Sequence, residues 1–342
     1  MKKISIKQKL ILLANYLAAL LLLASFINIY LPPKWSSFMS LLSLFFPFIV
    51  LINLIFLIYW AIKLKKYIFI SGIALLINYN NLQALFQWTG KHPVEAKGFS
   101  LMSYNIRLFN TYQWIKKKGI DVDISNYLKD AFPDILLLQE FKNDRHTDFL
   151  QYKYKHIVLK GKKRKAGLAI FSRYKIIDKG NLSFPGTFNN AIWADIQIEK
   201  DTIRMYNVHF QSFKIVKPEN LVNQDKVKVS HKLLKVFDKQ YQQALIVQKH
   251  LAKSPYPVII SGDFNNTAFS SLYHLLKENK TDAFVEAGEG FGFTWEYKWL
   301  PMRIDFILPQ TQKFEILSFE TFRQIRYSDH FPIQARLKFK KP

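Results

Sequence analysis

The sequence predicts an α/β domain preceded by an all-α, strongly apolar region. Three observations carry this expectation. Residues 1–96 are overwhelmingly apolar and hold nine Lys and one acid, Glu95. From Gly98 onward, short runs of strand-forming residues alternate with helical ones. Polar and titratable residues gather where those strands end. The second part, 97–342, contains 246 of the 342 residues, enough for one well-buried core. No internal repeat and no low-complexity linker interrupts the chain.

The apolar region comes first in the chain. Residues 10–31 form a hydrophobic stretch interrupted by Asn15 and Asn28 and stopped by Pro32-Pro33. Residues 41–62 form a second, with Pro47 inside. A third, 67–88, opens with "YIFISGIALLI" and turns polar at Asn78, Asn80, Asn81, Gln83 and Gln87. Each approaches the roughly 20 residues that a helix needs to cross a bilayer, so three membrane spans are expected. A cleaved signal peptide is not expected, because the first run is too long and a second follows. Lys2, Lys3, Lys7 and Lys9 precede the first span, and Lys63, Lys65 and Lys66 separate the second from the third. The first loop carries only Lys34. Short-loop charge therefore places the N-terminus and second loop in the cytoplasm of a bacterial-type inner or plasma membrane. With three spans, 97–342 is extracytoplasmic; with two it stays inside. Spans without charged residues offer no ion path, which argues against a transporter.

The formal net charge is +24. About +16 belongs to 97–342, which holds 40 basic residues against 24 acids. Such a surface suits an anionic partner: nucleic acid, an acidic lipid face or a phosphorylated substrate. The chain has no cysteine, which excludes disulfides, thiolate metal sites and cysteine nucleophiles.

The strand ends carry the chemistry. "FSLMSYNIRLF" reaches Asn105 and Arg107; "DILLLQE" follows the helical "DISNYLKDAF" and delivers Glu140. "TIRMYNVHFQS" carries His209, and "VIISGDFNN" brings Asp263 and Asn265. "RIDFIL" holds Asp305 inside an apolar run, and "RYSDHFPI" places Asp329 beside His330. Each alone has a plain structural explanation, as a turn former, a surface acid or a core histidine. Asp305 is the hardest to explain so, because a buried unpaired carboxylate is costly and a histidine would pair it. Together the groups make chemical sense. Glu140, Asp329 and Asp263 offer hard oxygen ligands to Mg²⁺, or Mn²⁺. Asn105 and Asn265 orient oxygens without adding charge. His209 and His330 handle protons near neutral pH, and Asp305 fixes a histidine tautomer. These are the parts that in-line water attack on phosphorus needs. Strand alternation is expected to set Asp263 and Asn265 on one side, with Phe264 packed away between them.

The segments "SYNIR", "PDILLLQE", "GLAIFSRY", "YNVHFQS", "ISGDFNN", "RIDFIL" and "YSDHFPI" resemble, in order, the motifs of the endonuclease/exonuclease/phosphatase superfamily. The resemblance spans nearly all of 97–342. It implies a four-layer α/β sandwich, two packed β-sheets flanked by helices. It implies that Glu140 binds the essential Mg²⁺ with help from Asn105 and Asp329. It implies that Asp263 and Asn265 activate water, that Asp305 orients His330, and that His209 acts as acid or phosphate ligand. Asn105, Arg107 and Asn190 become substrate-binding candidates. Arg107 stands where repair endonucleases of the superfamily carry an acid, which disfavours that branch.

The function expected is a membrane-anchored, metal-dependent phosphoester hydrolase of endonuclease type. A sphingomyelinase-like or inositol-phosphate activity, with a phospholipid headgroup as substrate, is the alternative. A non-enzymatic membrane scaffold is the alternative of another class. Four further stretches are candidates for the rim of a site. "KGKKRK" (160–165) reads as a hairpin tip and "AGEGFGFTW" (287–295) as an active-site loop. Asn189 and Asn190 read as turn residues or substrate contacts, and the Lys-rich 216–238 as an insertion or helix.

Overall fold

The structure is a computed structural model that describes residues 5–32, 37–92, 97–143, 151–161, 165–213, 226–297 and 300–340. The chain divides into two compact units. One gathers Met1–Phe86, Lys217–Tyr241 and Asn266–His274; the other holds Gln87–Val216, Gln242–Asn265 and Leu275–Pro342.

In the first unit, α1 (Ile6–Asn28) starts at Ser5, whose hydroxyl accepts from the Gln8 N–H while the Gln8 side chain accepts from the Ser5 N–H. α2 (Ser37–Ile62) carries Pro47 inside. Ile6–Asn28 and Ser40–Ile62 are long and apolar enough to cross a membrane. The third stretch departs from one continuous helix. It forms α3 (Ile68–Ile77) and α4 (Tyr79–Leu85), bent by 73° at Asn78. Asn78 donates from Nδ2 to the carbonyls of Leu22 and Ala74, at 3.2 and 3.1 Å. Two of the polar residues that interrupt the apolar runs, Asn15 and Asn78, are therefore interhelical ties. Asn15 donates to Ser71 Oγ (2.6 Å) and accepts from Trp60 Nε1 (2.9 Å). Ser71 donates to Asn53 Oδ1 (3.0 Å), and Asn53 donates to the Ala18 carbonyl (3.0 Å). All four of these side chains are buried, so the hydrogen bonds take the place of water. The same unit holds Thr267, which donates to the Ser43 carbonyl (2.9 Å), and Phe269, stacked on Phe46 at 4.1 Å.

The second unit is built on two sheets. Its strands are β1 (Phe99–Asn105), β2 (Ile135–Phe141), β3 (Tyr154–Lys160), β4 (Ala166–Ser172), β5 (Lys175–Ser183) and β6 (Asn190–Ile198). They continue as β7 (Asp201–His209), β8 (Val258–Asp263), β9 (Asp305–Pro309), β10 (Phe314–Thr321) and β11 (Ile333–Phe339). The six-stranded sheet has the order β10-β11-β1-β2-β4-β3 and the five-stranded sheet β9-β8-β7-β6-β5. Two neighbouring pairs are parallel, β1 with β2 and β7 with β8. Each pair needs a crossover, supplied by α5 (Ile120–Ala131) and α6 (Lys226–Leu251) respectively.

Alternation in the strands makes the layers. Phe99, Leu101, Ile135, Leu137 and Ile170 of one sheet share a buried core with Ile192, Ala194, Met205, Ile259 and Ile307 of the other. On the far face of the six-stranded sheet, Met102, Tyr104, Leu136 and Leu138 pack on Ile120, Ile124 and Leu128 of α5. On the far face of the five-stranded sheet, Tyr206 Oη lies 2.8 Å from His250 Nδ1 of α6. The order helix, sheet, sheet, helix is the four-layer sandwich expected. The "KGKKRK" stretch joins the antiparallel strands β3 and β4, with 162–164 outside the described residues. Of 216–238, residues 216–225 lie outside them and α6 begins at Lys226.

Candidate active site

Toward the carboxyl ends of the parallel strands the inter-sheet core turns polar. Gln139 donates from Nε2 to Asn207 Oδ1 (2.7 Å) and Ser103 Oγ (3.1 Å). Asn207 donates back across the gap to the carbonyls of Leu138 (3.0 Å) and Ala169 (2.9 Å). This clasp ties the sheets together one layer below the site.

The site lies on the next row of residues. Strand pairing sets Asn190 opposite His209, His209 opposite Asp263, and Asp263 opposite Asp305. Residues opposed in this way share a face of the sheet. From the other sheet, Asn105 donates from Nδ2 to Asp263 Oδ2 at 2.9 Å.

His330 and Asp305 form the centre. His330 Nδ1 lies 2.9 Å from Asp305 Oδ2, and His330 Nε2 lies 3.7 Å from Asp263 Oδ2. Thr294 donates to Asp305 Oδ2 (2.6 Å) and accepts from the N–H groups of Ile304 and Asp305. Trp295 donates from Nε1 to Asp329 Oδ2 at 3.3 Å. Thr294 and Trp295 close the Gly-rich stretch 287–295, so it does line the site. Sequence reasoning had not singled out either residue. Ser328 donates to the Asn105 carbonyl (2.8 Å), anchoring the "SDH" turn on β1.

Two groups reach the site through left-handed backbone. Glu140 has φ 50° and lies in a β-bulge between Leu138 and Phe141. In a regular strand it would follow Leu136 and Leu138 to the far face; the extra residue turns it inward. There it hydrogen-bonds the Asn105 side chain and lies 4.0 Å from His209 Nε2. Asn265 also has φ 50°. β8 ends at Asp263, and Asn265 folds back so that its N–H and Nδ2 both donate to Asp263, at 2.7 and 3.0 Å. The two side chains are thus in contact rather than spaced along an extended strand. Phe264 between them is fully buried against Phe210 and Phe306, as expected. Gly262 precedes them at φ 135°, where a Cβ would lie 2.2 Å from the Val208 carbonyl oxygen. Only glycine lets β7 and β8 approach so closely here.

The electrostatics follow from burial and crowding of like charge. Burial, with the His330 charge nearby, holds His209 down to about 3, so it is neutral at physiological pH. Burial would also lower His330, but the Asp305 and Asp263 carboxylates outweigh it and raise it to about 10. Burial, and then Asp305, push Asp263 up to about 8. Glu140 is raised by burial and by Asp329.

The donor set fits a hard divalent cation. His209 Nε2 is buried 3.5 Å from Asp263 Oδ2 with no hydrogen-bond partner, and Asp305 Oδ1 is buried and unpartnered too. Asp263, Asp305 and His330 bring ligand atoms within 4.8 Å of one another. That trio is tied up internally by the Asp305–His330 bond. Glu140 and Asp329 are the more open acids, with side chains 31% and 18% exposed.

The substrate candidates sit differently. Arg107 opens a left-handed run through Asn110, and its Nη1 lies 3.3 Å from Asp329 Oδ2. Asn190 is beside His209 in register, but its amide donates to Asn181 Oδ1 (3.0 Å) on β5. Asn189 donates to the Phe210 carbonyl (3.0 Å).

Similar proteins agree with this architecture. A humanized D. rerio TDP2 aligns at a TM-score of 0.54 and 16% identity, over 71% of this chain and 100% of that one. The human Nocturnin catalytic domain aligns at 0.53 and 17%, over 71% and 95%. An endonuclease/exonuclease/phosphatase family protein from Bacteroides thetaiotaomicron aligns at 0.53 and 18%, over 72% and 100%. No curated protein matches the sequence. Residues 8–85 match a domain of unknown function, DUF8431. Residues 102–330 match the Endonuclease/Exonuclease/phosphatase family, and the chain belongs to it.

Proposed function

We propose that this chain is a divalent-metal-dependent phosphodiester hydrolase of nuclease type, anchored to a membrane by residues 1–96 and catalytic through 97–342. One observation supports it above the others. The Asp263 carboxylate lies between two histidines, 3.5 Å from His209 Nε2 and 3.7 Å from His330 Nε2, and Asp305 backs His330 on the far side.

Asp263 is the base. Its raised proton affinity suits abstraction of a proton from water near neutral pH. Asn105 and Asn265 hold both of its oxygens and fix its direction. His330 carries a proton on Nε2, because Asp305 holds Nδ1 and stabilises the imidazolium. It grips a phosphate oxygen and protonates the leaving group. Neutral His209 turns its buried Nε2 toward Asp263 and Glu140, where it serves as a phosphate ligand. Glu140, assisted by Asn105 and Asp329, would hold the metal, which supplies charge neutralisation at phosphorus. Arg107 reaches the substrate from its place beside Asp329.

The basic charge of 97–342 favours a polyanion, and one related structure is D. rerio TDP2 in complex with a single-strand DNA product. The test gives the full chain Mg²⁺ with plasmid DNA, RNA, sphingomyelin or phosphoinositides over a salt series. Nucleic acid should be cut, and binding should weaken on the order of 10³-fold between 50 and 200 mM salt if six or more phosphates are contacted. Cleavage of lipid alone, with DNA and RNA intact at low salt, would replace this reading with a lipid phosphodiesterase.

Orientation follows the lysines. α1 and α2 are long and apolar enough to cross, and if the bent α3–α4 pair forms a third span, 97–342 lies outside the cytoplasm. A C-terminal reporter that works only outside the cytoplasm should be active. Signal from a cytoplasm-only reporter would mean that the bent pair returns to the side it entered.

A further inference from the structure

One surface feature beside the catalytic groups has no part in the mechanism above. Beyond Arg107 and the buried Phe109, residues 111–114 form an exposed ledge. Trp114 and Tyr112 are 42% and 45% exposed, and their rings meet edge to face at 5.0 Å. The Arg107 guanidinium covers one face of Trp114, 4.4 Å from the ring centre, and the same guanidinium pairs with Asp329 at 3.3 Å. One arginine side chain therefore separates the indole from the acids around the reacting phosphorus.

We infer that Trp114 and Tyr112 are a stacking subsite for a nucleobase next to the scissile phosphate, so that the substrate is nucleic acid rather than a phospholipid. The inference rests on the phosphodiesterase reading and names the substrate class for it. Two aromatic rings in contact with each other, half exposed and one arginine away from the site's acids, offer a flat apolar surface to a ligand that reaches those acids. Bases have a flat face to match, and stacking on aromatic side chains is how single strands are held without sequence preference. Lipid headgroups fit less well. A choline cation on the remaining indole face would be repelled by the Arg107 guanidinium over the opposite face and by exposed Lys116 and Lys118. The same cations suit the phosphates of a strand. Lys117 is otherwise engaged, 2.6 Å from Asp123. Insertion into a membrane interface calls for rings that project outward, as Trp88 does at 86% exposure. Trp114 is instead packed against the Arg107 guanidinium on one face and in an edge contact with Tyr112.

The experiment reads binding without turnover. The full chain in detergent, with chelator present, is titrated against a fluorescent oligothymidylate and against a strand of equal length made of abasic sites. The wild type should bind the base-bearing strand on the order of tenfold tighter. Trp114→Ala should bring that strand down to the abasic value and leave abasic binding unchanged, and Trp114→Phe should keep most of the preference. Equal weakening on both strands, or no change on either, would overturn the inference. It would fall equally if Trp114→Ala lost binding to anionic vesicles while the preference for bases persisted. Failure of the phosphodiesterase reading would show separately, as no cleavage of any strand by the wild type with Mg²⁺.

Discussion

Changing Asp305 to Asn is expected to lower turnover on the order of 10²- to 10⁴-fold while the Michaelis constant stays within about threefold. Asp305 Oδ2 receives both His330 Nδ1 and the Thr294 hydroxyl, so the amide keeps the shape and removes the charge. Without that charge, His330 loses the largest influence that raises it toward 10, and burial then favours its neutral form. A neutral His330 offers no proton to the leaving group. Arg107, Tyr112 and Trp114, the proposed substrate contacts, do not touch Asp305 and keep their places. Steady-state kinetics across pH check this, because the alkaline limb of the rate profile should move to lower pH in the variant. A change confined to the Michaelis constant would assign Asp305 to binding instead.

The second large effect is expected at Glu140. Glu140→Gln should cut the rate on the order of 10²- to 10³-fold, equivalent to several kcal/mol of charge stabilisation at the transition state. The wild type should lose all activity in EDTA and regain it with Mg²⁺ or Mn²⁺. The variant should need far more metal to recover. Binding gives a readout independent of turnover: Mg²⁺ should raise the melting temperature of the wild type and much less that of the variant. The reason is the crowding already described. Burial and Asp329 raise Glu140, and burial and Asp305 raise Asp263, so a bound cation would favour the charged carboxylates that burial and like charge disfavour. Full activity of Glu140→Gln in chelator would remove the metal from the mechanism.

Much of this was legible in the residues, and the exceptions have physical causes. Asp263, His209 and Asp305 could be placed together because strand ends recur at matching sequence signals, and their register rows meet. The partner of Asp305 was foreseeable from the cost of burying a lone carboxylate. Glu140 could be named but its direction could not. Alternation assigns it to the wrong face, and only a bulge with left-handed backbone reverses that. Asn265 likewise leaves the strand that seemed to carry it. Thr294 carries no signal in sequence, since a threonine after "GFGF" gains meaning only when the loop closes over Asp305. The third apolar stretch looked continuous because hydropathy averages over Asn78, where the helix turns by 73°.

The hydrogen bonds among Asn15, Asn53, Trp60 and Ser71 have a consequence for how the helical region varies. A greasy anchor tolerates drift, since one leucine replaces another with little effect. Here a change at Asn15 strands the indole N–H of Trp60 in apolar surroundings and removes one of the two hydrogen bonds of the Ser71 hydroxyl, which still donates to Asn53. The four positions are coupled through these bonds, so the costs of single substitutions at them should not add, and a double change that replaces both partners of one bond should cost less than the two single changes summed.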